Sequence, residues 1–108
     1  MKELYLVLKT GSQAHHVLEV LRQNGFNGTV ISTDSLRTAT EDYPEEHHFY
    51  NLRHYEKGAG SESIVCLFIL SDERCEQAKA IVREQTSSFQ QVRGAMYSRE
   101  IDDYEGSI

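Results

Sequence analysis

Apolar and polar positions alternate along Lys2–Lys9, where Leu4, Leu6 and Leu8 interleave with Tyr5 and Val7. Period two predicts a strand, and apolar residues on both sides at its centre place it inside a sheet. Thr10-Gly11 breaks the pattern, and Ser12 is suited to cap a helix starting at Gln13. Ala14, Val17, Leu18 and Leu21 then recur at helical spacing and share one face. Asn24-Gly25 ends that helix, with Gly25 suited to the left-handed position after it. The β-branched run Thr29-Val30-Ile31-Ser32-Thr33 predicts a second strand. Periodicity fails from Asp34 to Gly60, which reads as a long flexible loop over 35–60, and Phe49–Tyr55 is a candidate strand arm within it. Ser63–Leu70 (SIVCLFIL) is apolar on both faces, as a central strand is. Ser71 or Asp72 caps a second helix with a buried stripe of Cys75, Ala78, Ile81, Val82 and Gln85. Glu73 and Glu76 near its start suit the helix dipole. Phe89–Tyr97 reads as a fourth strand, followed by an acidic tail over 99–108.

The order strand, helix, strand therefore occurs twice in one domain of 108 residues. Two β-α-β halves with right-handed crossovers predict a ferredoxin-like βαββαβ sandwich: an α+β fold with a four-stranded antiparallel sheet and both helices on one face. The other face is left bare. Tyr5, Val7, Ile69, one of Val65 and Cys66, and one of Leu67 and Phe68 would line it. A bare apolar sheet face marks an association surface, so a homo-oligomer is expected, the alternative being cover by the loop or the tail.

Charge narrows the classes of partner. The net charge is -6, which disfavours a broad contact with nucleic acid or with an anionic membrane surface. No apolar run approaches the length of a membrane-spanning helix, and the first residues enter a strand without a signal-peptide profile. Cys66 and Cys75 have neither the spacing nor the context of a zinc site or a disulfide framework, and a reduced, cytoplasmic protein is expected.

The stretches KELYLVLK, RQNGF, GTVIST and SIVCLFIL together resemble the PII-like signalling proteins, in pattern closest to their cyclic-di-AMP receptor branch. The most pointed stretch is Thr29–Arg37, TVISTDSLR. Thr33 matches the end of that family's strand, and Leu36-Arg37 match the tail of its motif. Ser35 stands where a glycine is expected, and Thr86-Ser87-Ser88-Phe89 lacks the glycines and lysine with which PII proteins hold ATP phosphates. The resemblance implies a homotrimer with sheets packed inward. It also implies small ligands in the three clefts between subunits, and a loop that reports occupancy to a protein partner.

The residues that carry chemistry are few. Arg37, just past the second strand, suits bidentate contact with a phosphate or carboxylate, its alternative being an ion pair with Glu41 or Asp42. With Thr33 and Ser35 it forms the candidate ligand site for a small anion, nucleotides included, and Arg93 is a fourth candidate. His47, His48 and His54, beside Glu45 and Glu46, are alternative ligands for a divalent metal in the manner of CutA-type trimers. Neighbouring histidines on an extended chain point to opposite sides, which favours a solvated segment instead. His15 and His16 read as surface residues. Tyr43, Phe49, Tyr50 and Tyr55 suit stacking on a base or docking a partner, and equally anchoring the loop. No nucleophile-base-acid set and no phosphate-cradling glycine motif occurs, so an enzyme is not expected and no cofactor is implied. A small ferredoxin-like monooxygenase or isomerase, working over the open sheet face with His54 and tyrosines, is the third reading.

Overall fold

The computed structural model describes residues 1–34, 36–41 and 62–107. Its elements run β1 (Lys2–Lys9), α1 (Ser12–Gln23), β2 (Thr29–Thr33), α2 (Leu36–Glu41), β3 (Ser63–Leu70), α3 (Asp72–Thr86) and β4 (Gly94–Glu100). The strands form one four-stranded sheet in the order β2-β3-β1-β4. Strand β1 lies antiparallel to β3 from Lys2↔Leu70 to Lys9↔Ser63, and to β4 from Lys2↔Glu100 to Leu8↔Gly94. Strand β2 lies antiparallel to β3 from Thr29↔Leu67 to Thr33↔Ser63. This is the expected α+β, ferredoxin-like topology, with β1 and β3 interior and β2 and β4 at the edges.

The alternation in β1 decides which side is core. Leu4, Leu6 and Leu8 are fully buried and pack with Ala14, Val17 and Leu21 of α1 and with Cys75, Ala78 and Val82 of α3. Both long helices thus cover one face. Opposed residues in an antiparallel ladder share a face, so the register assigns Cys66 and Phe68 to the helix side and Val65 and Leu67 to the other. Thr86 is fully buried and completes the stripe of α3, whereas Gln85 and Ile81 are half-buried.

Helix ends follow local chemistry. Gly25 adopts φ 84 after the C-cap Asn24. Its N–H donates to the Arg22 carbonyl at 3.0 Å and that of Phe26 to the Leu21 carbonyl at 3.1 Å, the paired bonds of a Schellman end. Arg74 of α3 lies over the Phe26 ring, 3.9 Å from its centroid, and donates to the Asn24 carbonyl at 3.2 Å. One guanidinium therefore ties the start of α3 to the end of α1. Ser71 caps α3, its hydroxyl accepting the Arg74 N–H.

Several expectations are corrected. Ser12 is the first residue of α1 rather than its cap. Gly11 takes the cap position and brings no side-chain hydrogen bond. Within the expected loop over 35–60, Leu36–Glu41 forms a short helix; the candidate strand arm Phe49–Tyr55 lies outside the described residues. The fourth strand is Gly94–Glu100, not Phe89–Tyr97, and so Arg99 and Glu100 belong to it rather than to a tail. Ser87, Ser88 and Phe89 take φ 52, 55 and 64, a left-handed turn that cannot enter a sheet. Phe89 and Val92 still pack against the core, from this turn and the segment after it.

Candidate functional site

The end of the sheet where β1 and β2 finish and β3 and β4 begin collects the polar side chains. Thr33 pairs with Ser63 and Ser63 with Lys9. The Lys9 N–H donates to the Arg93 carbonyl at 2.8 Å, which puts Arg93 level with them one residue before β4. Thr33, Ser63, Lys9 and Arg93 thus form one row across all four strands. The Thr33 hydroxyl donates to the Ser63 carbonyl at 3.3 Å, and Lys9 Nζ lies 3.6 Å from a Glu62 carboxylate oxygen. Arg93 is exposed, and no ion pair joins it to another described residue. Arg93 precedes β4 and does not lie within it, a second consequence of the left-handed turn.

Beside Arg93 opens the N-terminus of α1. Its first turn holds no acidic residue and its cap has no side chain, so the orphan N–H groups and the positive end of the helix dipole face solvent there. A shallow hollow of about 310 Å³ at this corner is lined by Lys9, Gly11, Ser12, Gln13, Gln91 and Arg93. Sequence reasoning missed this corner because it credited Ser12 with the cap. The signal available was Gly11 directly after a strand ending in Lys9.

Thr33 and Arg93 sit at the same end but on opposite edge strands. Three inter-strand spacings separate them, about 14 Å. Of the other two expected ligand residues, Arg37 falls in the first turn of α2, just beyond Thr33, and Ser35 lies outside the described residues. His47, His48 and His54 lie outside them as well. Among the described residues no three His, Cys, Asp or Glu side chains gather as a metal site. The protein therefore does not bring its expected ligand residues together within one chain.

The face away from the helices carries three further rows. Ile31, Val65, Val7 and Ala95 form one, Thr29, Leu67, Tyr5 and Tyr97 the next, and Ile69, Glu3 and Arg99 the last. Tyr5 and Tyr97 stack with ring centroids 4.8 Å apart. Arg99 Nη2 reaches a Glu3 carboxylate oxygen at 2.9 Å. Val65 is buried and Tyr5, Val7, Leu67 and Ile69 are half-buried, so the centre of this face is less open than the strand pattern implied. Its edges are open: Ile31 and Tyr97 are each 52% exposed.

On the helix side, a groove of about 210 Å³ runs between α1 and β2, lined by His15, Leu18, Phe26, Val30, Cys66 and Phe68. Glu19 and Arg22 pair at its rim, and the Arg22 guanidinium holds the Glu19 carboxyl below the ordinary range. Burial pushes the Cys66 thiol up to about 11, which keeps it protonated and a poor nucleophile at neutral pH. Both cysteines are free and buried. No helix among the described residues is long and apolar enough to cross a membrane. No protein-family model and no curated protein matches the chain.

Proposed function

We propose that the chain is a PII-like signalling protein, a cytoplasmic homotrimer that binds a small anion in the clefts between its subunits. Nucleotides are the first candidates. Occupancy would be reported to a protein partner through residues 35–60. One observation carries this reading: Thr33 and Arg93 mark the same end of the sheet at its two opposite edges. A ligand of nucleotide size or smaller meets both only where two copies come together. The ligand set is then Thr33, Ser35 and Arg37 from one subunit and Arg93 from its neighbour. In a chain of net charge -6, an exposed arginine at the sheet end is a selective anion contact rather than part of a broad basic patch. The apolar rows around Tyr5 and Tyr97 supply the surface that association hides.

The test combines mass with melting. Analytical ultracentrifugation should return three chains per particle. In a thermal-shift screen of ATP, cyclic dinucleotides and inorganic phosphate, one anion should raise the melting temperature, because a ligand held only by the folded state stabilises it by about 2.7 kcal/mol at a hundredfold excess over its Kd. Arg93→Ala should then weaken that anion roughly tenfold or more, the loss of one charged hydrogen bond. A monomer, or a trimer that no anion stabilises, refutes the reading.

A further inference from the structure

We infer that the free edge of β2 pairs with the free edge of β4 in a second copy, antiparallel, with Thr33 level with the partner's Arg93. This rests on the assembly proposed above and supplies its seam.

The reasoning starts from a mismatch between the composition of β2 and its place. As an outer strand it presents unpaired backbone N–H and C=O groups, and proteins guard such edges with lysine, proline, bulges or a covering segment. The five residues Thr29–Thr33 contain no charge, no proline and no glycine. Val30 and Ile31 lie on opposite faces and are 54% and 52% exposed. Apolar residues on both faces are the mark of an interior strand. Strand β2 has the side chains of an interior strand and lacks its outer neighbour.

The opposite edge of the same sheet fits it. Strands β4 and β3 both oppose β1, and β2 opposes β3, so β2 and β4 run in opposite directions. A copy displaced sideways therefore offers β4 to β2 in the antiparallel sense. With the rows kept level across the seam, Ile31 faces the partner's Ala95 and Thr29 the partner's Tyr97 on the open face. Val30 faces the partner's Met96 and Ser32 the partner's Gly94 on the helix face. Apolar meets apolar, and no like charges oppose each other. Thr33 and the partner's Arg93 become direct cross-strand neighbours, about 5 Å apart between Cβ atoms instead of about 14 Å. The competing arrangement, β2 against its own twofold mate, sets Ile31 on Ile31 and leaves β4 bare, including Tyr97. Head-to-tail pairing uses both edges of every copy and closes as a ring.

Engineered cysteines at Ile31 and Ala95 read the seam directly. Both native positions are exposed, and the native thiols of Cys66 and Cys75 are buried and do not compete. The double variant Ile31→Cys/Ala95→Cys, oxidised with copper phenanthroline, should run as covalent dimer and trimer on a non-reducing gel. A thiol should reverse this, and each single variant should stay a monomer there. A dimer from Ile31→Cys alone means twofold pairing and overturns the inference. So does an uncross-linked double variant whose circular dichroism and melting match the parent. On the unaltered chain, the amides of residues 30–32 should exchange slowly with solvent; exchange at the rate of a free edge also overturns it. Cross-linked trimer with no anion-induced melting shift leaves the seam standing and removes the ligand reading, while anion binding without cross-linking does the reverse.

Discussion

The contact between β1 and β4 is close enough that one added methyl group should part the strands. A Cβ built on Gly94 falls well inside contact distance of the Val7 carbonyl oxygen and 3.1 Å from both the Leu8 Cα and a Leu8 methyl. Two of those three atoms are backbone, so no side-chain rotation relieves the overlap. Gly94→Ala therefore forces the start of β4 away from β1. The loss has two parts, about 1–3 kcal/mol for overpacking and about 1 kcal/mol for each ladder hydrogen bond weakened at Leu8↔Gly94 and Val7↔Ala95. A total of about 2–4 kcal/mol is expected. At about 4 °C for each kcal/mol in a domain near 100 residues, the melting temperature should fall by roughly 8–16 °C. Gly11→Ser is the control, because nothing lies within 4 Å of a Cβ there and serine is at least as good a cap, so its change should stay within a few tenths of a kcal/mol. Urea denaturation of both variants, with hydrogen exchange across 94–100, makes the measurement. A cost below about 0.5 kcal/mol, with those amides still protected, refutes the claimed approach of the two backbones.

Three further outcomes follow from named interactions. The Thr86 hydroxyl donates to the Val82 carbonyl at 2.7 Å and accepts the Phe89 N–H at 3.0 Å, so Thr86→Val should cost about 1–3 kcal/mol in urea melts by leaving that N–H without a partner. Ser88 holds φ 55, where a side chain is strained, and Ser88→Gly should raise stability by about 0.5–1 kcal/mol, read in the same melts. Burial raises the Cys66 thiol from about 9 to about 11. Above pH 9 the unfolded chain releases this proton first, so stability should fall as pH rises toward 11, by about 1.4 kcal/mol for each unit crossed. Cys66→Ala should show a shallower decline over that window, and equal slopes for the two proteins would contradict the assignment.

The elements that could be read from the chain were those where one force dominates. Leu4, Leu6 and Leu8 announce a one-sided core, Ser63–Leu70 a strand buried on both faces, and Ala78 and Val82 the stripe of α3. The start of β4 was misread because Phe89 and Val92 are apolar for the ordinary reason, core packing, yet reach the core from outside the strand. Nothing in Thr86-Ser87-Ser88-Phe89 signals three successive left-handed residues, since glycine or asparagine would normally hold them. Arg93 and Thr33 were identified as separate candidates. That they occupy one level of the sheet, on opposite edges, depends on strand order and register, which pair residues up to 98 positions apart and leave no local mark.

Strand β1 is made first and completed last. One of its neighbours, β4, arrives only at Gly94–Glu100, and Lys2 finds its mate at Glu100. A nascent chain must therefore carry three apolar leucines without their final shelter until almost all of it has emerged. Closing so long a loop is entropically slow, and ordering cannot proceed as a simple wave from the front. The protein should gain its native sheet in one late, cooperative step, with the two outermost stretches of the described chain locking together at the finish.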